Sequence, residues 1–181
     1  MVTSRIETDM ARRGIGFGGQ QVCNPPAGCI GCLGASALAR ELTDDQLRTL
    51  FSIVEVRKLV KDDILISEGD HDDRLYAVAK GELEVSRQGG RGREVLARLA
   101  SGTITGELAF LDGLERTATV KAASDECCVV ILRRERLETL LTSDPLLVYN
   151  VMRAIVRSAH RTVGKMDAVY SDLMQYISGT P

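Results

Sequence analysis

Residues 106–120 read GELAFLDGLERTATV and interrupt a series of short, strand-like segments. Gly106 precedes a single predicted helical turn at residues 107–111. Free backbone N–H groups at the start of a helix bind compact anions well, and a glycine lets the main chain approach them closely. Arg116 adds a permanent charge with a fork of donors, and Thr117 adds a hydroxyl beside it. The stretch therefore predicts a phosphate-binding segment.

Glu107 is the unexpected residue of this segment, because a carboxylate repels a phosphate. Its presence is consistent with a side chain that points away from the anion and accepts a hydrogen bond from a ribose hydroxyl, which prefers a charged acceptor. We therefore assign Glu107 to the sugar and not to the phosphate.

The segments on either side of this stretch alternate between short apolar runs and turn residues. The runs lie at residues 64–66, 75–79, 83–85, 95–99, 119–122 and 127–132. Many short strands with glycine-rich turns predict a closed barrel or jelly roll, which leaves few exposed edges. Helices are predicted before it, where Thr43 and Gln46 form a capping box, and after it. The predicted fold is mainly β with flanking α: a β jelly roll or barrel, a short helix in the phosphate segment and a long C-terminal dimerisation helix.

The phosphate segment resembles the cassette of cyclic-nucleotide-binding domains of the Crp–Fnr superfamily. That cassette has the pattern Gly-Glu-x-Ala/Gly, a short loop, then Arg-Ala/Ser/Thr-Ala, and the matching residues are Gly106, Glu107, Ala109, Arg116, Thr117 and Ala118. The resemblance covers about residues 43–177 and implies that Glu107 binds the ribose 2′-hydroxyl while Arg116 and Thr117 bind the cyclic phosphate. The expected ligand-binding set is Gly106, Glu107, Leu108, Ala109, Arg116, Thr117 and, from the long helix, Thr162. A barrel that keeps the family's shape without binding nucleotide is the alternative.

The long helix is predicted from residue 145 to about residue 177, with Ser143 or Asp144 as its cap and Pro145 in its first turn. Spacings of four and three relate Val148, Met152, Ile155, Ala159, Thr162, Met166, Val169, Leu173 and Tyr176. This heptad seam predicts a homodimer through residues 146–177, while packing of the helix on its own barrel is the alternative.

Thr162 is the polar residue of that seam. In catabolite-activator-type members of the family a threonine at this place on the helix contacts the adenine amino group, which implies a base contact here. The neighbouring serine of that type is Val163 in this chain. The resemblance thus favours cAMP over cGMP only moderately, because a hydroxyl can donate or accept and Thr117 suits either nucleotide. A hydroxyl bonded to its own helix carbonyl is the other interpretation of Thr162.

Five cysteines form two groups, with Cys23, Cys29 and Cys32 near the N-terminus and the adjacent pair Cys127 and Cys128 in a predicted strand. Convergent thiolates bind iron–sulfur clusters or zinc. The oxygen-sensing Fnr branch holds a cluster with three N-terminal cysteines and one barrel cysteine, although its N-terminal spacing has the opposite order. All five residues are therefore candidate metal ligands, with reduced thiols as the alternative.

Composition narrows the classes of function. Charged residues make up 27% of the chain, the formal net charge is −2, and no basic face typical of nucleic-acid binding is evident. We see no secretory signal and no apolar run long enough to span a bilayer, which predicts the cytoplasm. No nucleophile–base pair or Walker-type loop is evident, so we expect no enzyme.

The predicted organisation is a glycine- and cysteine-rich flexible arm at residues 1–36, a cyclic-nucleotide-binding barrel at 37–142 and the long helix at 143–178. Four residues follow Ile177, so we expect no helix-turn-helix domain and no direct DNA binding. The expected function is a cyclic-nucleotide receptor, with cAMP favoured and cGMP as its competitor, that signals through a dimer to a protein partner. An iron–sulfur or thiol redox sensor of the Fnr type on the same barrel is the alternative.

Overall fold

Two antiparallel sheets stacked face to face form the body of the protein. The structure is a computed structural model that describes residues 22–23 and 36–179. Within them, nine strands run in chain order: β1 (Val22–Cys23), β2 (Glu55–Leu59), β3 (Ile64–Ile66), β4 (Arg74–Lys80), β5 (Glu82–Gly89), β6 (Gly92–Ala100), β7 (Ile104–Thr105), β8 (Thr119–Ala122) and β9 (Cys127–Arg133). The first sheet has the order β1-β2-β9-β4-β7 and the second the order β3-β8-β5-β6. The predicted jelly roll with flanking helices is confirmed.

In the same described residues, four α-helices flank the sheets: α1 (Asp44–Ile53), α2 (Glu107–Asp112), α3 (Arg134–Glu138) and α4 (Pro145–Ser178). The capping box predicted before α1 is present, since Thr43 accepts from the N–H of Gln46 and the Gln46 side chain accepts from the N–H of Thr43. Asp144 caps α4 by accepting from the N–H of Leu147 at 3.0 Å. Helices α1 and α4 thus both begin at side-chain caps.

The first sheet is buried on both faces, which explains why its central strands read as continuous apolar runs. In β4, Leu75 and Ala77 face the helices, whereas Tyr76 and Val78 face the second sheet. Adjacent residues of a strand point to opposite faces, so a strand covered on both sides must be apolar throughout. The domain therefore has two apolar cores, one between the sheets and one between the first sheet and the helices.

Helix α4 changes its environment along its length. Val148 and Ile155 lie in the core between the helices and the first sheet and Met152 packs against it, whereas Met166 and Val169 are exposed. The heptad seam predicted from the sequence therefore has two parts, because its first three members pack within the domain. A partner helix could therefore pack against the heptad positions only in the exposed part of α4.

One detail differs from the prediction: Val22–Cys23 pairs with β2 in the first sheet although it lies in the stretch predicted as a flexible arm. Helix α3 ends at Glu138, and the chain continues through tight turns closed by the Leu140 and Leu141 N–H groups. In the part of the chain that the structure describes, no helix is both long enough and apolar enough to cross a membrane.

The packing of α4 predicts that two neighbouring leucines contribute very differently to the free energy of unfolding. Leu147 is 0% exposed in the helix-side core, whereas Leu146 is 61% exposed. We expect Leu147→Ala to lower the free energy of unfolding by about 2–5 kcal/mol, because it leaves a cavity in a packed core. Leu146→Ala removes the same atoms from the surface and should change it by no more than about 0.5 kcal/mol. Urea denaturation of both variants measures this difference, and equal losses would contradict the packing.

Candidate functional site

The predicted phosphate segment forms a turn, a short helix and a return strand around one arginine. Gly106 precedes α2 with φ of +83°, a conformation that disfavours side chains. A Cβ at this position would lie 2.5 Å from Nη1 of Arg116 and 3.2 Å from the carbonyl oxygen of Arg74. Glycine is thus required here both for its backbone conformation and for the space that the arginine occupies.

Arg116 is only 4% exposed, and three acceptors hold its guanidinium. Nη1 donates to the carbonyl oxygen of Gly106 at 2.9 Å, and Nη2 donates to that of Arg74 at 2.6 Å. Nη2 also lies 3.1 Å from Oδ2 of Asp72. A guanidinium carries five N–H donors, so Nε–H and one Nη1 hydrogen have no partner among the described residues.

Asp72 is the carboxylate that balances this charge. Its Oδ2 also accepts from the Tyr76 hydroxyl at 2.5 Å, and the Tyr76 ring centre lies 5.6 Å from the guanidinium carbon of Arg116. Burial, followed by the hydrogen bond to Asp72, raises the pKa of Tyr76 well above its usual value. The tyrosine therefore stays protonated and donates. The Asp72 side chain is mostly buried against Arg116.

Glu107 is held by the long helix. Its Oε1 accepts from the hydroxyl of Ser158, a buried residue of α4, at 3.0 Å. Burial raises the pKa of the Glu107 carboxyl, an effect opposed by its hydrogen bonds and by the charges of Arg116 and Arg161. The carboxylate thus links the phosphate segment to α4 at the point where the helix leaves the core.

A cavity of about 150 Å³, here called the cassette cavity, lies within this segment. Six of the seven predicted ligand-binding residues line it: Gly106, Glu107, Leu108, Ala109, Arg116 and Thr117. The structure therefore brings together in one cavity the glycine turn, the carboxylate and the arginine.

Thr162 borders a different cavity of about 250 Å³, here called the helix-side cavity. Ser158 also lines this second cavity, and its hydrogen bond to Glu107 joins the walls of the two. The Thr162 hydroxyl donates to the carbonyl oxygen of Ser158 at 3.2 Å, which is the helix-internal arrangement considered as the alternative.

The predicted metal ligands are not brought together among the described residues. Cys127 packs between the sheets, where its thiol donates to the carbonyl oxygen of Glu82 at 3.0 Å, whereas Cys128 packs toward the helices. One cluster cannot bind both, because they lie on opposite faces of β9. Cys23 pairs with Val56 at the edge of the first sheet, and Cys29 and Cys32 lie outside the described residues. The described part of the chain contains no group of three potential metal ligands.

Two residues of the site were missed in the sequence. Asp72 stands beside Asp73, and nothing in the sequence indicates which of the two carboxylates turns inward. Ser158 had a usable signal, because it is a small polar residue on a helix face that otherwise carries Val151, Ala154 and Ile155. Buried polar groups need partners, so a serine at that place indicates a polar group opposite it.

Known proteins are similar to this chain in sequence and in fold. The sequence model of the family described as "Cyclic nucleotide-binding domain" matches residues 56–144. The cGMP-dependent protein kinase egl-4 of Caenorhabditis elegans is 37% identical over 86 residues, which are 48% of this chain and 10% of the kinase. The chain therefore spans about a tenth of that relative.

Two solved structures extend the likeness beyond the family match. The N-terminal domain of a transcriptional regulator from Streptomyces coelicolor is 30% identical with a TM-score of 0.64, over 75% of this chain and 94% of that one. A cyclic nucleotide-binding domain from Methylobacillus flagellatus superposes with a TM-score of 0.77 at 22% identity, over 86% of this chain and 93% of that one. At 22% identity, the likeness to the Methylobacillus flagellatus domain shows a shared fold only.

The raised pKa of Glu107 predicts a pH-dependent cost in stability. A carboxyl whose pKa is higher in the folded than in the unfolded protein favours folding while it is protonated, and this advantage is lost as the pH rises through the folded value. We expect Glu107→Gln to become more stable relative to the unsubstituted protein as the pH rises from about 4 toward neutrality, as followed by urea denaturation.

Glu126→Gln is the matched control, because an ion pair with Lys80 lowers the pKa of this exposed carboxyl. Its effect should have the opposite sign: the unsubstituted protein gains stability over Glu126→Gln as the pH rises. A Glu107→Gln difference that is constant with pH would contradict the burial of an ionisable carboxyl.

Proposed function

This chain belongs to the cyclic nucleotide-binding domain family, and we propose that it is a cAMP receptor that signals through a homodimer to a protein partner. The observation that carries the proposal is the convergence of Arg116 and Glu107 on one cavity beside a glycine turn. A cation for a phosphodiester and an acceptor for a sugar hydroxyl are the two groups that a cyclic nucleotide requires.

The phosphate end of the ligand is supported by the donors that Arg116 retains. The backbone carbonyls and Asp72 hold the guanidinium in place, while Nε–H and one Nη1 hydrogen are without partners among the described residues. Thr117 lines the same cavity and offers a hydroxyl. A guanidinium held in advance loses little conformational entropy when an anion binds.

The sugar and the base are assigned to the side of the site that faces α4. A volume of about 150 Å³ is too small for a whole nucleotide, so the base would extend out of the cassette cavity. The helix-side cavity, reached past Glu107 and Ser158, is the adjoining space, and Thr162 borders it. We propose that the Thr162 hydroxyl exchanges its own helix carbonyl for the base. cGMP is the competing ligand, as the name of the nematode kinase suggests.

The dimer is supported by the second part of α4. Met166, Val169, Leu173 and Tyr176 are exposed and repeat at heptad spacing. Four large apolar side chains in one row on an exposed helix gain most from a second copy of the same helix. We propose that this row, from Thr162 to Tyr176, forms a parallel coiled-coil interface.

The redox alternative has less support. Its basis is the group Cys23, Cys29 and Cys32, but Cys127 uses its thiol inside the sandwich and Cys128 faces away from it. No described residue therefore offers the fourth ligand at the place where the resemblance to the Fnr branch would put it. We retain the cyclic-nucleotide receptor as the proposed function.

Arg116→Leu tests the phosphate contact. We expect calorimetric titration with cAMP and with cGMP to show a loss of about 2–5 kcal/mol in binding free energy, because a charge-assisted pair with the phosphate is removed. Arg91→Leu removes the same charge from the exposed turn between β5 and β6 and should leave the affinity unchanged.

Arg116 also holds neighbouring segments together, so a folding defect in Arg116→Leu would abolish binding as well. A second variant, which leaves these contacts in place, separates the two causes. Thr117→Val keeps the volume of an exposed residue and should weaken binding about tenfold through the lost hydroxyl. If Arg116→Leu is folded and binds cAMP normally, the assignment of the cassette is wrong.

Met166→Glu tests the coupling of ligand and dimer. Met166 is 66% exposed in the isolated chain, and in the proposed dimer two carboxylates would meet in the seam. We expect this variant to be monomeric in sedimentation and to bind cAMP more weakly, because sites that stabilise each other do so reciprocally. Ser171→Glu adds the same charge on the opposite face of the helix and should change neither property.

Thr162→Ala separates base recognition from dimerisation. This variant should narrow the preference for cAMP over cGMP while the sedimentation of the dimer stays the same. A dimer that is indifferent to ligand, together with normal cAMP binding by Thr162→Ala, would confine the site to the barrel.

A further inference from the structure

A third and larger cavity opens at the end of the sandwich where β3 and β4 face each other. Its volume is about 920 Å³, within the range of cavities that bind small molecules. Arg57, Arg74, Arg134, Tyr76 and Asp72 line it together with apolar residues of β3. We call it the mouth cavity. It shares only Ile66 with the cassette cavity and meets it at the pair formed by Asp72 and Arg116.

Arg57 is the residue that makes this cavity unusual. It lies on β2 with 8% of its surface exposed, and its Nε is buried without a hydrogen-bond partner among the described residues. Its one hydrogen bond is a long one, from Nη2 to the carbonyl oxygen of Ile64 at 3.4 Å. No described carboxylate forms an ion pair with it. Burial lowers the pKa of the guanidinium, an effect that the charge of the Asp63 carboxylate opposes.

Arg74 brings a second cation to the same wall. Its Nε is also buried without a hydrogen bond and lies 3.6 Å from Oδ1 of Asp72. Asp72 already serves Arg116 and the Tyr76 hydroxyl through its other oxygen. The pKa of the Arg74 guanidinium is raised overall although burial lowers it, because the charges of Asp72 and Glu55 stabilise the cation.

Among the described residues, no carboxylate near the wall, Asp63 included, forms an ion pair with Arg57. Glu55 is paired with Arg133 at 3.0 Å. Asp70 and Asp73 line the mouth cavity, and Asp70 is exposed to solvent, but neither forms an ion pair with Arg57. A buried charge without a partner is costly, and proteins resolve that cost by pairing it.

We propose that the mouth cavity binds a phosphate monoester, whose dianion bridges the guanidinium groups of Arg57 and Arg74. Two cations on one wall match a charge of about −2, which a monoester carries near neutral pH and a cyclic phosphodiester does not. The side chains of Ile64 and Ile66 line the same space and accept the organic part of the molecule. The site is separate from the cassette and holds a different class of phosphate.

Calorimetric titration of the full chain with methyl phosphate, at constant ionic strength, tests the site. The titration is made with and without saturating cAMP, which occupies the cassette. We expect binding in both cases and weaker binding of dimethyl phosphate, which is a monoanion. Equal binding of the two compounds, or no heat from methyl phosphate at millimolar concentration, would overturn the proposal. If cAMP itself does not bind, the Arg57→Gln and Arg91→Gln variants still test whether methyl phosphate binds in the mouth cavity.

Arg57→Gln should weaken methyl phosphate at least about thirtyfold while its thermal unfolding temperature stays the same or rises, because a buried unpaired charge is removed. Arg91→Gln removes an exposed arginine and should bind as the unsubstituted protein does. Arg74→Gln keeps the backbone carbonyl that holds Arg116 and should also lose the monoester. Undiminished binding by folded Arg57→Gln, or an equal loss in Arg91→Gln, would contradict the site.

Discussion

The burial of the Arg116 guanidinium is the constraint on which the arrangement of the site depends. A buried cation is tolerated only when its donors are satisfied, and here the acceptors come from the Gly106 carbonyl, the Arg74 carbonyl and Asp72. These acceptors lie on the turn before α2, the first residue of β4 and the loop that leads into it. The backbone of Arg116 joins the same loop, since its N–H donates to the carbonyl oxygen of Asp70. One side chain therefore fixes its own segment relative to two others, at residues 72–74 and at Gly106.

The doubly covered first sheet gives this arrangement its surroundings. Its inner face, with Tyr76 and Val78, meets the second sheet, and its outer face, with Leu75 and Ala77, meets the helices. Changes at the phosphate segment can reach α4 through the helix-side core, where Phe110 of α2 packs with residues of α4, or through the hydrogen bond between Glu107 and Ser158. A packed apolar core deforms little, so the hydrogen bond is the more sensitive route.

The local features of the fold and of the site could be predicted from the sequence. The glycine turn at Gly106, the charge at Arg116 and the cap at Thr43 each follow from residues a few positions apart, and all three are present. The roles of Asp72 and Ser158 were harder to predict, because their partners Arg116 and Glu107 lie more than 40 residues away in the chain. The heptad pattern of α4 was ambiguous for a physical reason. The same spacing serves a helix packed on its own sheet and a helix packed on a partner.

The division of α4 into a packed and an exposed part has a geometric consequence. The helix leaves the core near Ser158 and continues to Ser178, which at 1.5 Å per residue is a rigid arm of about 30 Å. A rotation of about 5° at Ser158 would carry the far end through about 2.6 Å, more than half the spacing between neighbouring strands. The contact between Glu107 and Ser158 lies at the fulcrum of this arm. A rotation too small to disturb the sandwich would therefore displace the far end of the helix by a few ångströms.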